Sequence, residues 1–294
     1  MELKYLLQDL TYRTHTQNIL VRLVKKIPPL NSFLLNMMWS DYDFKNYYSI
    51  YLKMRGLLSK NGVKLHGKRM LEIGSGNLPA LGFPFILQDK VAFFRASDPY
   101  RTGAFRSKKN TKRLRTLTFD CAEMGMRGAD KLVNFFGGTF SLNTDVIDFS
   151  SVDITEECSD DHKYDLIVSN AVLEHVAKEK MDQSILNMNL LLNLGGLMVH
   201  QIDFRDHMNF NRPFGNAGYS DEEWDDLTCG TIFYTNRLKS EDFIRLFRRN
   251  GFEIVDIEET SVKRGGRCEG EQVGVRGAIF LVKKLREGMT SATA

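Results

Sequence analysis

The sequence predicts an α/β fold built on a doubly wound sheet, and three observations predict it. The stretch KRMLEIGSGNLPALGFPFIL, residues 68–87, runs from a short apolar strand through Gly74-Ser75-Gly76 into a helix-compatible apolar segment. Two more segments, VAFFRASDPY (91–100) and KYDLIVSNAVLEHV (163–176), read as buried strands that end in polar or acidic residues. Apolar strands alternating with helices are the pattern of a parallel sheet covered on both faces.

The first strand, Met70-Leu71-Glu72-Ile73, drives straight into the glycine turn. Glycines let the backbone take positive φ and approach a ligand closely. The helix that follows presents free N–H groups at its N-terminus. Glu72 stands just before the turn. A phosphate-bearing nucleotide rarely wants a carboxylate there, whereas a cationic aminoacyl group does. A dinucleotide-binding G-x-G-x-x-G would need glycine at position 79, where this chain has Pro79. Ligands of doubly wound sheets lie beyond the carboxyl ends of the strands. Asp98, at the tip of the second strand, can there accept both ribose hydroxyls of a nucleoside.

These residues resemble the motifs of class I S-adenosylmethionine (SAM) methyltransferases, whose pattern is an acid, an apolar residue, then Gly-x-Gly. The family's usual third glycine, at position 78, is Leu78 here. The resemblance covers about residues 66–285 and implies SAM as the cofactor. It places Glu72, Gly74, Ser75, Gly76 and Asn77 in the glycine loop, and Asp98 and Pro99 beside the ribose. In SSVDITEE (150–157), Asp153 and Ile154 correspond to the pair set beside the adenine. Asn170 and Ala171 correspond to the loop under the methionine portion. GGLMVHQID (195–203) resembles the fifth strand and its glycine turn. The implied fold is Rossmann-like, with seven strands of which the last is antiparallel. A domain over 67–286 carries an N-terminal helical cap over 1–66, a helical insertion over about 101–145 and a disordered tail over 287–294.

Composition agrees with this class. The chain has 294 residues, 43% hydrophobic and 26% charged, enough for one large α/β domain with additions. A net charge of +3 does not demand nucleic acid. Cys121, Cys158, Cys229 and Cys268 form no C-x-x-C pair, which argues against zinc and against a disulfide framework. The N-terminus lacks the apolar core of a signal peptide, and no run reaches the ~18 apolar residues of a membrane span. A cytoplasmic location follows as the default.

In the cap, ILVRLVKKI (19–27) places Ile19, Leu20, Leu23, Val24 and Ile27 on one helical face, and Pro28-Pro29 stops it. Such a helix packs on the core or on the second copy of a homodimer, or lies as a peripheral contact on an anionic membrane. Tyr42 to Ser59 is a second helical stretch, rich in aromatics, with the character of a substrate lid or of ordinary core packing. More than fifty residues separate the second strand from Asp153, so 101–145 reads as an insertion, and insertions at that edge usually build the substrate site. It opens with RTGAFRSKKNTKRLR, seven basic residues and no acid. That block suits an anionic small substrate better than a duplex; a solvated face is the plain alternative.

HQIDFRDHMNFNRPFG (200–215) follows the fifth strand and so emerges on the cofactor edge. It resembles a branch of bacterial SAM methyltransferases found in glycan and secondary-metabolite pathways. That branch carries His-x-x-Asp and Asp-His here and a later aromatic-x-Asn-Arg-Leu, matched by Tyr234 to Leu238. Transfer to a hydroxyl needs a base at the moment of attack, usually histidine. His200 and His207 are the candidates, with Asp203 or Asp206 as orienting partner. A divalent metal held by these groups is the rival reading, and no metal ligand is assigned. His175, in LEHV, is expected on the helix after the fourth strand, in a capping or packing role, with an imidazole facing the active site as the alternative. The expectation is O-methylation of a small polar, anionic, glycan-type or natural-product substrate. Its alternatives are methylation of RNA or protein, and a non-catalytic SAM-binding domain acting in a complex. Asn170-Ala171-Val172 differs from the Asn/Asp-Pro-Pro-aromatic motif of nucleic-acid N-methylation. At the C-terminus, Ser240 reads as the N-cap of a helix closed by Gly251, before a hairpin of 252–259 with 277–285.

Overall fold

The structure, a computed structural model, describes residue 26 and residues 44–76, 78–99, 108–136, 139–156, 162–208, 213–231, 233–263 and 273–287. Asn77, the helix expected over 19–27 apart from Lys26, residues 101–107 of the basic block, and residues 288–294 of the expected tail lie outside the described residues. So do Cys158 and Cys268.

In chain order the elements are α1 (Phe44–Lys60), β1 (Arg69–Ile73), α2 (Gly82–Asp89), β2 (Phe93–Ser97) and α3 (Lys108–Glu123). There follow β3 (Val133–Phe136), β4 (Thr139–Leu142), β5 (Ile147–Ser150), β6 (Tyr164–Asn170) and α4 (Met181–Leu191). The chain continues through β7 (Leu192–Asp203), α5 (Asp221–Thr228), α6 (Ser240–Arg249), β8 (Phe252–Lys263) and β9 (Val273–Lys284). Seven strands form one sheet in the order β5-β2-β1-β6-β7-β9-β8. The pairs among β5, β2, β1, β6 and β7 are parallel, and β9 runs antiparallel to both β7 and β8. The expected seven-stranded sheet with an antiparallel last strand is therefore present.

Side-chain alternation explains why helices cover both faces. Met70, Phe94, Leu166, Val199 and Leu281 enter one core, and their neighbours Leu71, Phe93, Ile167, Met198 and Phe280 enter the other. A period of two along each strand sends neighbouring side chains to opposite faces. The first core takes α1, α2 and α3; the second takes α4 and α6. In α1, the buried residues Phe44, Ile50, Tyr51, Met54, Leu57 and Leu58 mark one helical face. Tyr51 donates to Asp89 Oδ2 at 2.8 Å, and Asn61 Nδ2 donates to Asp256 Oδ2 at 2.8 Å. The aromatic helix of the cap is thus docked along α2 and β8.

Two sequence expectations change here. The segment between β2 and β5 is only partly helical: α3 and a 3-10 turn lead into the antiparallel β3–β4 hairpin. Ser240 is the first residue of α6 rather than its cap. Lys239 holds the cap position, and Asp242 Oδ2 accepts its N–H at 2.9 Å. The acid at the third helical position carries out the end-capping that the serine was expected to perform.

Lys284 closes the second core. It is 1% exposed, and its Nζ donates to Asn189 O and Leu192 O at 2.9 Å and to Glu287 Oε2 at 2.8 Å. Lys284→Met keeps the length but leaves two buried carbonyls without their donor. The expected loss is about 2–4 kcal/mol of unfolding free energy, read by urea denaturation. A variant as stable as the parent contradicts this role.

Candidate active site

The carboxyl edge of the sheet carries both groups of predicted residues. At the tip of β1 the glycine turn folds onto the tip of β2. Gly74 N and Ser75 N donate to Ser97 O at 2.8 and 3.1 Å, and Gly76 N donates to Asp98 Oδ2 at 3.0 Å. Gly74 has φ +71°, and a Cβ there would lie 2.3 Å from Val172 Cγ2. Both conformation and space therefore exclude any other residue. Gly76 also has positive φ, but a Cβ there would meet nothing within 4 Å. The open side of the turn is where a ligand can approach.

Glu72 is 3% exposed, and its Oε2 has no hydrogen-bond partner among the described residues. Burial, assisted by the nearby Asp98, pushes its carboxyl up to about 8. Ser75 Oγ and Asn170 Oδ1 are likewise buried without partners. Native structures leave few such atoms, and several at one edge call for a polar ligand. The amino, ribose and carboxylate groups of SAM match these orphaned atoms, so the residues present fit that cofactor.

The remaining cofactor-side residues flank the turn. Asp98 is buried directly after β2, with Pro99 beside it. Asp153 Oδ1 accepts from Thr155 N and Oγ1 at 2.9 and 2.8 Å, which fixes the loop bearing the buried Ile154. Ala171 takes φ +52°, rare for a residue with a Cβ, and its N–H donates to Gln201 O at 2.9 Å. This bend turns Val172 toward Gly74. Tyr47 of α1 is pushed up to about 12 by burial and then by Glu72, with Arg113 of α3 opposing. Helix α1 and the basic helix α3 thus border the cradle.

The predicted acceptor residues separate into two sets. His200 is fully buried: its Nδ1 lies 2.7 Å from Ser169 Oγ, and its ring stacks on Phe247 at 5.9 Å and 6°. Burial holds it down at about 3. It shares a strand face with Met198 and Ile202 in the core beneath α6. A neutral ring sealed in that core cannot reach an acceptor, which corrects its reading as a base. Asp206 is also buried, and its Oδ1 accepts Met208 N at 2.8 Å.

Asp203 and His207 do come together, with His207 Nε2 3.8 Å from Asp203 Oδ2. Burial pushes the Asp203 carboxyl up, but the neighbouring His207 ring and the hydrogen-bonded Arg205 guanidinium outweigh it and hold the group well below the usual carboxylate range. Arg205 Nε forks onto both Asp203 oxygens at 2.9 and 3.0 Å. His175 belongs to a 3-10 turn, Leu173–His175, and not to an α-helix. Its ring lies 4.9 Å from that of His207. Glu174, which sequence reasoning did not single out, accepts Asp203 N at 3.2 Å. The signal available for it was an acid and a histidine side by side just past a strand tip. Asn236, in the predicted Tyr-Thr-Asn-Arg-Leu segment, braces this turn: its Nδ2 donates to Leu173 O and Val176 O at 2.8 and 2.9 Å.

A family model described as a methyltransferase domain matches residues 51–257, and the chain belongs to that family. Its methyl donor is S-adenosylmethionine. Among solved structures, the chain is similar to an S-adenosylmethionine-dependent methyltransferase from Clostridium acetobutylicum, at 15% identity and a TM-score of 0.47. That match covers 85% of this chain and 95% of the other. It is also similar to magnesium protoporphyrin IX methyltransferase from Synechocystis with bound SAH, at 17% identity, TM-score 0.46, and 82% and 83% coverage. A third is a putative sarcosine dimethylglycine methyltransferase from Galdieria sulphuraria, at 12% identity, TM-score 0.49, and 81% and 86% coverage. No curated protein sequence matches this chain. No helix among the described residues is long and apolar enough to cross a membrane.

Glu72 makes a prediction for stability. Its folded pKa of about 8 lies above the ordinary 4.5. Its contribution is therefore complete below about pH 4.5 and is lost as pH rises through about 8. Glu72→Gln should match the parent in thermal stability near pH 4.5 and exceed it by several degrees at pH 8. Parallel melting-temperature profiles for the two proteins would refute the buried, unpartnered carboxyl.

Proposed function

We propose that this chain transfers the SAM methyl group to a hydroxyl of a small polar, anionic substrate of the glycan or natural-product type. The observation that carries this reading is the adjacency of two constellations on one loop. Residues 170–172 lie against the glycine turn, and residues 174–175 join Asp203 and His207. When bound, SAM supplies an activated sulfonium methyl, so the reaction is a single in-line displacement.

The chain has to position the acceptor and deal with its proton. Glu72 and Ser75 hold the cofactor's polar end, Asp98 and Pro99 the ribose, and Asp153 with Ile154 the adenine side. The His207–Asp203 pair supplies an imidazole oriented by a carboxylate, an arrangement suited to taking a hydroxyl proton. Arg205 keeps Asp203 charged for that purpose. Lys112, Arg113 and Arg115 on α3 favour an acceptor with negative charge. The protein works in the cytoplasm on a small molecule rather than on nucleic acid.

Calorimetric titration with S-adenosylhomocysteine, with NAD as control, tests the cofactor assignment. Micromolar binding of the first and none of the second is expected. Absence of S-adenosylhomocysteine binding would contradict it. His207→Ala should leave that affinity within about twofold of the parent and lower turnover of an anionic hydroxyl substrate by about 100-fold or more. Full activity in this variant would remove His207 from the mechanism.

A further inference from the structure

Glu174, His175 and His207 converge beside the cofactor edge more closely than proton transfer by one histidine requires. One ligand-type atom from each, a carboxylate oxygen and two ring nitrogens, lie within 4.8 Å of one another. They come from two elements, the 3-10 turn after β6 and the segment after β7. Their meeting is therefore set by the pairing of adjacent parallel strands.

Two further details point to a cation. Glu174 is 2% exposed, its Oε1 accepts Asp203 N at 3.2 Å, and its Oε2 has no hydrogen-bond partner among the described residues. A buried carboxylate oxygen left without a donor is costly, and buried charges are normally paired or bound to metal. The second detail is a tautomer. His175 Nδ1 lies 2.8 Å from Tyr234 O. A carbonyl only accepts, so Nδ1 carries the proton and Nε2 is the lone-pair donor. Metal-binding histidines are oriented in this way, with the other ring nitrogen donating to a carbonyl or carboxylate. His207 Nε2 lies 3.8 Å from Asp203 Oδ2, beyond hydrogen-bond reach, and Asp203 is itself held by Arg205. Glu174 is buried, His207 half-buried and His175 exposed, so an ion can enter from solvent.

We propose that Glu174, His175 and His207 bind one divalent transition-metal ion of the Zn2+, Co2+ or Mn2+ class. Two imidazoles and one carboxylate suit these ions better than Mg2+ or Ca2+, which prefer oxygen ligands. Three protein ligands leave coordination positions open for a substrate oxygen. Resting on the methyl-transfer reading, the ion holds the acceptor hydroxyl at the cofactor edge and makes its proton easier to lose to solvent. His207 then acts as a ligand, and the ion takes over the activation otherwise assigned to the imidazole.

The test is Co2+ titration of the tag-free full chain, freed of metal by chelator and saturated with S-adenosylhomocysteine, followed by visible d–d absorption. One Co2+ per chain is expected, displaced by Zn2+. His175→Asn and His207→Asn should each weaken binding by at least about tenfold, and Glu174→Gln should do the same. The exposed His66→Asn should leave it unchanged. If Glu174→Gln does not fold, the two histidine variants decide. No Co2+ uptake, or equal uptake in all variants, overturns the assignment. S-adenosylhomocysteine affinity, measured on the same metal-free samples, separates the two readings. If it binds while Co2+ does not, the metal site alone fails; if it does not bind, the methyl-transfer reading fails.

Discussion

Glu72 stands at the tip of β1 with apolar cores on both sides of its strand and an oxygen that finds no donor among the described residues. Burial, and after it the neighbouring acid Asp98 at the same edge, push its carboxyl up to about 8. A fold tolerates such a group when the rest of the structure over-determines its place. Here the parallel pairing of β1 with both β2 and β6 does so, because it leaves the tip of β1 no freedom to move. A buried acid of this kind is stabilised by a cation beside it, and in the proposed reading the aminoacyl end of SAM supplies one.

The surrounding turn follows from that constraint. The tip of β2 takes the amides of Gly74, Ser75 and Gly76, so the turn is anchored to its neighbour strand before any ligand arrives. Val172 fills the space over Gly74, and it reaches that place because Ala171 takes a left-handed conformation. The same bend delivers Glu174 and His175 to the end of β7, where Asp203 and His207 emerge. The edge proposed for the cofactor and the edge proposed for the acceptor are thus joined by five residues of one loop, 171–175.

Much of this was legible in the sequence, and the reasons differ by element. β1, β2 and β6 are largely apolar runs, broken by Arg95 in β2 and Asp165 in β6, with polar tips, and strands buried on both faces leave that trace. The glycine turn was readable because only glycine takes those dihedral angles at that distance from Val172. The acceptor side was less legible. Alternation along β7 sends His200 inward and Asp203 toward the edge, but the register that decides this comes from pairing with β6 and β9. Glu174 was hidden for a similar reason. Its position in LEHV looks helical, whereas the chain makes a single 3-10 turn braced by Asn236, more than sixty residues away. The Tyr-Thr-Asn-Arg-Leu segment, read from resemblance as a mark of its branch, is here a brace for that turn.

The most direct measurement is the number of protons exchanged when S-adenosylhomocysteine binds, obtained by calorimetry at pH 7 in buffers of different ionisation enthalpy. Glu72, with its pKa near 8, is mostly protonated in the free protein at that pH. An ammonium group at the tip of β1 favours the ionised form, so binding should release close to one proton per chain, and Glu72→Gln should release none. Binding with no proton release from the parent protein would contradict the account, because the buried acid would then not be what the cofactor's charge meets.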